Sequence, residues 1–402
     1  MDKKNYKKRI LIVSHALELG GAERSLIGFL NTIDTTKYSV DLFLLRHEGE
    51  LLNMIPKEIN LLPEISAYTV LARPMVHVLK EGHVGFCIAR LYGKIKAHLY
   101  DRLHHYKNSD VALEYSHKYT CRMMPQIQPE TKYDVAISFL TPHYFVIKKV
   151  KADRKIAWIH TDYSTVSIDR KSEFKMWKKY DDIIAISEAT ALAFKKIFPE
   201  LKEKIAIIEN IIPKEFILKQ AEDKCKLDDK FIKLVSVGRF CTAKNFDSIP
   251  DICFRIRKEG MNIKWYLIGF GPDEDLIKRK IREMDMQEYV IILGKKSNPY
   301  PYIKECDLYV QPSRYEGKCV AVKEAQLLRK PVVITNYATS FSQLENGEDG
   351  IIVPMDNCGC ADAIVQLLKK PDEMKRLSNN CRKKDYSNAQ EIKKFYQLIG
   401  EI

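Results

Sequence analysis

Short apolar runs alternate along this chain with longer amphipathic stretches. A first series of runs lies at 10–14, 40–44, 134–139, 156–160 and 183–186, and a second at 205–208, 234–237, 265–268, 290–293, 308–310, 332–334 and 351–353. They are rich in Ile and Val and almost continuously apolar, as parallel strands covered on both faces are. Helical periodicity fills many of the intervals, at 23–33, 188–198, 246–258, 273–284 and 320–329. Strand and helix in alternation predict an α/β, doubly wound architecture.

The rhythm breaks at 212–230, where Pro213 precedes a charged and polar stretch and a fresh strand opens with KLVSVGR. We set the domain boundary here. The expectation is a Rossmann-like domain over 1–212 and a second over 213–387, facing each other across a cleft. Ligands of such sheets bind beyond the carboxyl ends of the strands, so the residues after each strand are the ones to inspect. At 402 residues and 46% hydrophobic content, each half can bury a core without a metal or a disulfide.

A third kind of pattern occupies 71–107. Ile88, Leu91, Tyr92, Ile95, Leu99 and Leu103 recur near helical spacing, with Arg90, Lys94 and Arg102 among them and only Glu81 and Asp101 as acids. This basic amphipathic helix either packs its stripe on its own domain or lies on an anionic membrane surface. The net charge of +13 (66 basic against 53 acidic residues) suits a polyanionic partner, and a Lys-rich composition accounts for it equally. No run approaches the ~18 consecutive apolar residues of a membrane span. The N-terminal apolar run is broken by His15 and Glu18, so it reads as a buried strand after a solvated tail, not as a signal peptide. Of the ten cysteines, only Cys358 and Cys360 are close, and no zinc spacing appears. The reading is a cytoplasmic protein with reduced thiols, free in solution or peripheral on the inner membrane face, with no metal.

The segment DLYVQPSRYEGKCVAVKEAQLLRKPVVIT, residues 307–335, carries the most chemistry. A strand ends, a polar loop holds Glu316, and a helix opens near Cys319. Glu324 then lies roughly 8 Å along the helix axis. Two carboxylates at different depths can accept from two sets of ligand hydroxyls, and the helix mouth between them suits a diphosphate. The order sugar, diphosphate, ribose is that of an activated sugar. The same carboxylates also read as solvated surface groups. In SVGRFCTAKNFD (236–247), Gly238 permits a tight turn, and Arg239 and Lys244 are candidate phosphate ligands or plain surface cations. Gly269 and Gly271 of LIGFGPDE form a GxG that suits an ordinary turn, and Gly294 is a candidate wall for a nucleobase. In the first half, Gly20 and Gly21 allow a loop close to a phosphate or a turn at positive φ. His160 ends the run KIAWIH, as a buried structural histidine or as a contact to the reacting sugar.

Taken in order, GGAE, VGRF with Lys244, GFGP and the two glutamates separated by seven residues resemble the retaining, family-four glycosyltransferases of the two-domain GT-B fold. The resemblance implies roles. Glu316 holds the donor sugar together with Gly317, Lys318 and Cys319, and Glu324 holds the ribose. Arg239 and Lys244 stabilise the departing diphosphate, and His160 contacts the donor sugar. It implies retention of anomeric configuration without a metal or a cofactor, and a C-terminal stretch 388–402 that packs back on the first domain. Two positions depart from the pattern: Lys318-Cys319 stands where a bulky apolar and a small residue are usual, and Asn245 stands where glycine is common. The leading expectation is transfer from a nucleotide sugar, a UDP-sugar first, to a saccharide acceptor carried on a lipid, in bacterial cell-surface polysaccharide or capsule assembly. Nucleic acid is not expected as a partner. A sugar-nucleotide epimerase of the same fold and a non-enzymatic polyanion-binding protein are the alternatives.

Overall fold

Seven parallel strands build one sheet and six build another in the computed structural model, which describes residues 7–71, 73–106 and 109–400. The chain divides into two units, Met1–Ile211 with Gln390–Ile402, and Ile212–Ala389. The first sheet contains β1 (Lys8–Ser14), β2 (Tyr38–Leu44), β3 (Asn60–Leu61), β4 (Lys132–Ser138), β5 (Lys151–Ile159), β6 (Asp182–Ala185) and β7 (Ile205–Ile207), in the order β3-β2-β1-β4-β5-β6-β7. The second contains β8 (Ile232–Val237), β9 (Ile263–Ile268), β10 (Val290–Gly294), β11 (Leu308–Gln311), β12 (Val332–Thr335) and β13 (Ile351–Val353), in the order β10-β9-β8-β11-β12-β13. Both orders reverse beside their first strand, between β1 and β4 and between β8 and β11. That reversal is the switch point where ligands of doubly wound sheets bind.

Every apolar run of the sequence became a strand. The run at 205–208 closes the first sheet beside β6. Only β3 had no signal, since two residues paired with Asp41 and Leu42 are too few to show a period. The strands are covered on both faces, by one cluster containing Leu11, Val13, Phe145 and Trp177 and another containing Ile10, Ile12, Phe29 and Trp158. The terminal helix Ile392–Leu398 belongs to the second cluster: Phe395 is fully buried with its ring 5.0 Å from that of Phe29, and the Tyr396 hydroxyl accepts from the Asp34 amide.

The stretch 71–107 forms helices Met75–Lys80 and Val84–His104. The longer helix buries Phe86, Gly93 and Ala97. At Gly93 a Cβ would lie 3.1 Å from the backbone of Tyr115 and Ser116, so this face is shaped for the neighbouring helix Val111–Thr120. The apolar stripe is therefore not the packing face. Ile88 is 64% exposed and Leu103 75%, and Leu91, Tyr92, Ile95 and Leu99 are exposed with them. The helix does pack on its own unit, through the face of Phe86, Gly93 and Ala97, while the stripe stays largely exposed. Among the described residues no helix is long and apolar enough to cross a membrane.

Candidate functional site

At the switch point of the second sheet, the loops after β8 and β11 are tied to each other. The Arg314 amide donates to the Ala243 carbonyl at 2.8 Å, and its guanidinium donates to the Thr242 carbonyl at 2.8 Å. The same guanidinium grips both oxygens of Asp247, at 2.9 and 3.1 Å. Burial opposes the Asp247 charge, but Arg314 and Lys280 outweigh it and hold its carboxyl below the ordinary range. A third loop, after β9, packs against the first through its glycines. A Cβ at Gly269 would lie 1.8 Å from the Gly238 carbonyl oxygen, and one at Gly271 2.3 Å from that of Phe240. The GxG motif thus has a packing cause. Gly238 itself has no left-handed φ, and a Cβ there would make only ordinary contact with Lys244 and Phe246, so neither conformation nor space requires a glycine at this position.

This framework brings Lys244 to Glu316. Lys244 Nζ donates to Glu316 Oε1 at 2.5 Å, and the Ser313 hydroxyl donates to the same oxygen at 2.7 Å. The two charged side chains are only 20% and 10% exposed. Burial disfavours the Lys244 ammonium, but attraction to Cys319 and Glu316 more than offsets it, leaving its pKa above the ordinary lysine range. Burial, with the Glu316 charge beside it, pushes the Cys319 thiol up to about 12. Cys319 is therefore a neutral thiol at pH 7 and attracts the Lys244 ammonium only once ionised, so at pH 7 Glu316 is the counter-charge of Lys244. Asn245, directly after Lys244, sits at φ 57 with its Oδ1 accepting from the Ser248 hydroxyl. Asn tolerates this left-handed conformation better than most residues, which explains how it stands where glycine is common. Arg239 is exposed on the same loop, and its guanidinium has no ion-pair partner among the described residues.

At the mouth of helix Val320–Leu327 the amide of the capping residue is already engaged. The Cys319 amide donates to Gln343 Oε1 at 2.7 Å, and Gln343 Nε2 donates back to the Cys319 carbonyl. Gly317 and Lys318 are half-buried in the loop before it. Thr339 holds that loop from the far side, donating to the Glu316 carbonyl at 2.7 Å. Glu324 is fully buried, and Tyr300 donates its hydroxyl to Glu324 Oε1 at 3.0 Å. Gly294 has φ 72 and open space where a Cβ would project. Ser313, Arg314, Asp247, Gln343, Thr339 and Tyr300 went unnoticed in the sequence. Of these, only Ser313, Arg314 and Asp247 sit within the segments that drew attention.

In the first unit, Gly20 caps helix Gly21–Thr32 with an extended backbone, φ −133. It therefore serves no positive-φ turn. The Glu23 carboxylate folds over it instead, and a Cβ would meet Glu23 Oε2 at 2.0 Å. Gly21 is exposed at the first helical position. His160 follows the end of β5, with its ring 4.9 Å from that of Phe139 and Nε2 buried without a partner among the described residues. Burial pushes it down to about 3, and a hydrogen bond to the Phe139 backbone works weakly the other way. It shares a cavity of about 110 Å³ with His117 and His143, which burial likewise pushes down to about 3.

Known proteins resemble this chain in sequence and in fold. Residues 219–384 match the family described as glycosyl transferases group 1. The N-acetylgalactosamine-N,N'-diacetylbacillosaminyl-diphospho-undecaprenol 4-alpha-N-acetylgalactosaminyltransferase of Campylobacter jejuni is 26% identical over 209 residues, 52% of this chain and 56% of that protein. The capsular polysaccharide biosynthesis glycosyltransferase CapM of Staphylococcus aureus is 29% identical over 219 residues, 50% of this chain and 56% of its own. The chain thus spans about half the length of the curated relatives it matches. Among solved structures, TarM of S. aureus, as a variant in complex with fondaparinux, alpha-GlcNAc-glycerol and UDP, superposes with a TM-score of 0.69 at 15% identity, covering 98% of this chain and all of that one. HepE of Anabaena in complex with UDP gives 0.66 at 14%, again covering 98% of this chain and all of the other. At such identities the superpositions speak for the fold alone: the chain has the GT-B fold, and its residues 219–384 are similar to the glycosyl transferases group 1.

Proposed function

We propose that this protein transfers a sugar from a nucleotide sugar, a UDP-sugar, to a saccharide acceptor, with retention of anomeric configuration and without a metal ion. The observation that carries the reading is the half-sequestered group Lys244–Glu316–Ser313 at the switch point of the second sheet. Its cation and carboxylate are held together by a framework of loop-to-loop hydrogen bonds, so neither must be organised when the donor arrives. Lys244, with Arg239 and Lys318, neutralises the departing diphosphate. Glu316 accepts from hydroxyls of the donor sugar, and Glu324 accepts from the ribose hydroxyls in place of Tyr300. Gly294 leaves room for the base beside β10. In the first unit, neutral His160 offers the unpartnered Nε2 to a sugar hydroxyl. The new glycosidic bond forms on the face that the nucleoside diphosphate leaves, while the acceptor hydroxyl gives up its proton to the leaving phosphate.

The exposed stripe on Val84–His104 supports an acceptor held at an anionic membrane surface, as in cell-surface polysaccharide assembly. Lys94, Lys96 and Arg102 are exposed beside the apolar residues. Each basic group near anionic lipid contributes on the order of 1 kcal/mol.

Calorimetry with UDP and a panel of UDP-sugars tests the donor claim. Binding is expected for the wild type, with turnover lost in Glu316→Ala and Glu324→Ala; unchanged binding and turnover in both variants would remove the assignment. Sedimentation with phosphatidylglycerol and phosphatidylcholine vesicles tests the surface claim, and equal binding to both would count against it.

A further inference from the structure

The first unit contains a second concentration of positive charge that the transfer reading does not use. Lys118, Arg122, Lys148, Lys149, Lys175 and Lys179 surround a cavity of about 310 Å³ whose lining includes no Asp or Glu. They come from separate parts of the chain: helix Val111–Thr120 and the turn after it, the last turn of helix Tyr144–Lys149, and helix Arg170–Trp177 and the residues beyond it. Several basic residues of this unit meet carboxylates, as Arg154 meets Asp182 and Arg170 meets Glu200. Here none of the six has a carboxylate within ion-pair distance among the described residues. Lys118 donates to the Ser172 hydroxyl, and Lys149 donates to the Arg122 carbonyl at 3.4 Å. Glu114 lies behind two of the lining residues, Tyr144 and Ser172. Its Oε1 already accepts from Tyr144 and Ser172, and burial raises its carboxyl although Lys118 pulls the other way.

Such an arrangement is electrostatically unfavourable when empty. Lys148 and Lys179 are close enough that the first holds the ammonium of the second below the ordinary lysine range. Like charges gathered around one cavity repel, and the repulsion is relieved by an anion that several of them share. Arg122 offers a planar fork of donors and the lysines offer point charges, the pairing that suits phosphate oxygens. The floor is apolar: Ile147, Met176 and Cys121 lie beneath the cationic rim. A bare ion would leave that floor unused, whereas an anion carrying an apolar or saccharide portion would cover it.

We infer that this cavity is a phosphate- or diphosphate-binding site of the first unit, built for the anionic group of an amphiphilic ligand. The inference is independent of the transfer chemistry and survives its failure. The anion comes either from a lipid headgroup or from a soluble phosphorylated compound.

Inorganic pyrophosphate titrated calorimetrically into the full chain, with UDP present in excess, tests it. The wild type is expected to bind, and Lys148→Ala/Lys179→Ala to bind at least about tenfold more weakly, while Arg239→Ala leaves this affinity unchanged. Wild-type affinity within about twofold of the double variant's, or dependence on Arg239 in its place, would overturn the inference. Thermal unfolding of the unliganded protein separates binding from scaffolding: Lys148→Met/Lys179→Met should unfold at the same or a higher temperature, because it removes a repulsion, and a lower one contradicts the account. Vesicle sedimentation identifies the source. A headgroup is indicated if the double variant sediments less with phosphatidylglycerol and pyrophosphate releases the wild type; equal sedimentation of both proteins indicates a soluble ligand.

Discussion

Replacing Lys244 by Met removes the counter-charge from Glu316 and leaves Ser313 as the donor to its carboxylate. With N and O 2.5 Å apart, the Coulomb attraction at an effective dielectric constant of about 20 is roughly 7 kcal/mol. Most of it offsets the cost of taking both charges from water. Breaking such a pair from one side nonetheless costs about 3 kcal/mol, because a buried charge is stranded. Glu316→Gln should cost less, about 1–2 kcal/mol, since its amide oxygen still accepts from Lys244 and Ser313. In Lys244→Met/Glu316→Gln no charge is stranded, so a double-mutant cycle followed by urea unfolding should return a coupling of at least about 1.5 kcal/mol. The same variants divide the roles in binding. Lys244→Met should weaken UDP about tenfold to a hundredfold, the worth of one or two charged hydrogen bonds to phosphate. Glu316→Gln should leave UDP affinity equal or better, because Lys244 is released to the phosphates. A coupling below about 0.5 kcal/mol, with both single variants near wild-type stability, would refute the pair.

Three further outcomes are expected. Gly269→Ala should destabilise the protein by about 3 kcal/mol in urea, because its Cβ would enter the Gly238 carbonyl; a loss below about 1 kcal/mol contradicts the close approach. Phe395→Ala should cost about 3–5 kcal/mol through the cavity left beside Phe29, and a near-neutral result would mean that the terminal helix is not docked. Burial pushes His117, His143 and His160 down to about 3, while unfolding returns each to about 6.5. Between those values the unfolded state binds more protons, so the stability from the neutral rings is complete above pH 6.5 and falls toward pH 3, by about 1.4 kcal/mol per pH unit for each. Glu173, raised by burial to about 7, works oppositely between about 4.5 and 7. His143→Asn should therefore flatten the acid limb of the stability curve by about 1.4 kcal/mol per pH unit, and an unchanged slope would contradict the burial.

The strands were legible because parallel strands buried on both faces have to be apolar throughout, as in Ile10–Val13 or Val332–Ile334. The stripe on the 84–104 helix was equally visible, but its direction was not. Periodicity shows that a face exists, and only the Gly93 contact with Tyr115 and Ser116 shows which face is covered. The site was partly legible for a similar reason. Lys244 and Glu316 each follow a strand and could be picked out, but their pairing spans 72 residues of sequence and depends on the β8–β11 neighbourhood. Gln343 at the helix mouth and Tyr300 against Glu324 arrive from other elements and leave no local signal. The six cations of the first-unit cavity were dispersed in the overall charge surplus until three helical segments gathered them.

The central claim is tested most directly by release of UDP from UDP-sugars. The purified chain is incubated with a panel of them, with and without a saccharide acceptor, beside Glu316→Ala. The account predicts that at least one donor is turned over and that the variant loses about a hundredfold or more of this activity, as the removal of a transition-state contact requires. A wild-type protein that neither binds nor consumes any nucleotide sugar, or a variant as active as the wild type, would contradict it.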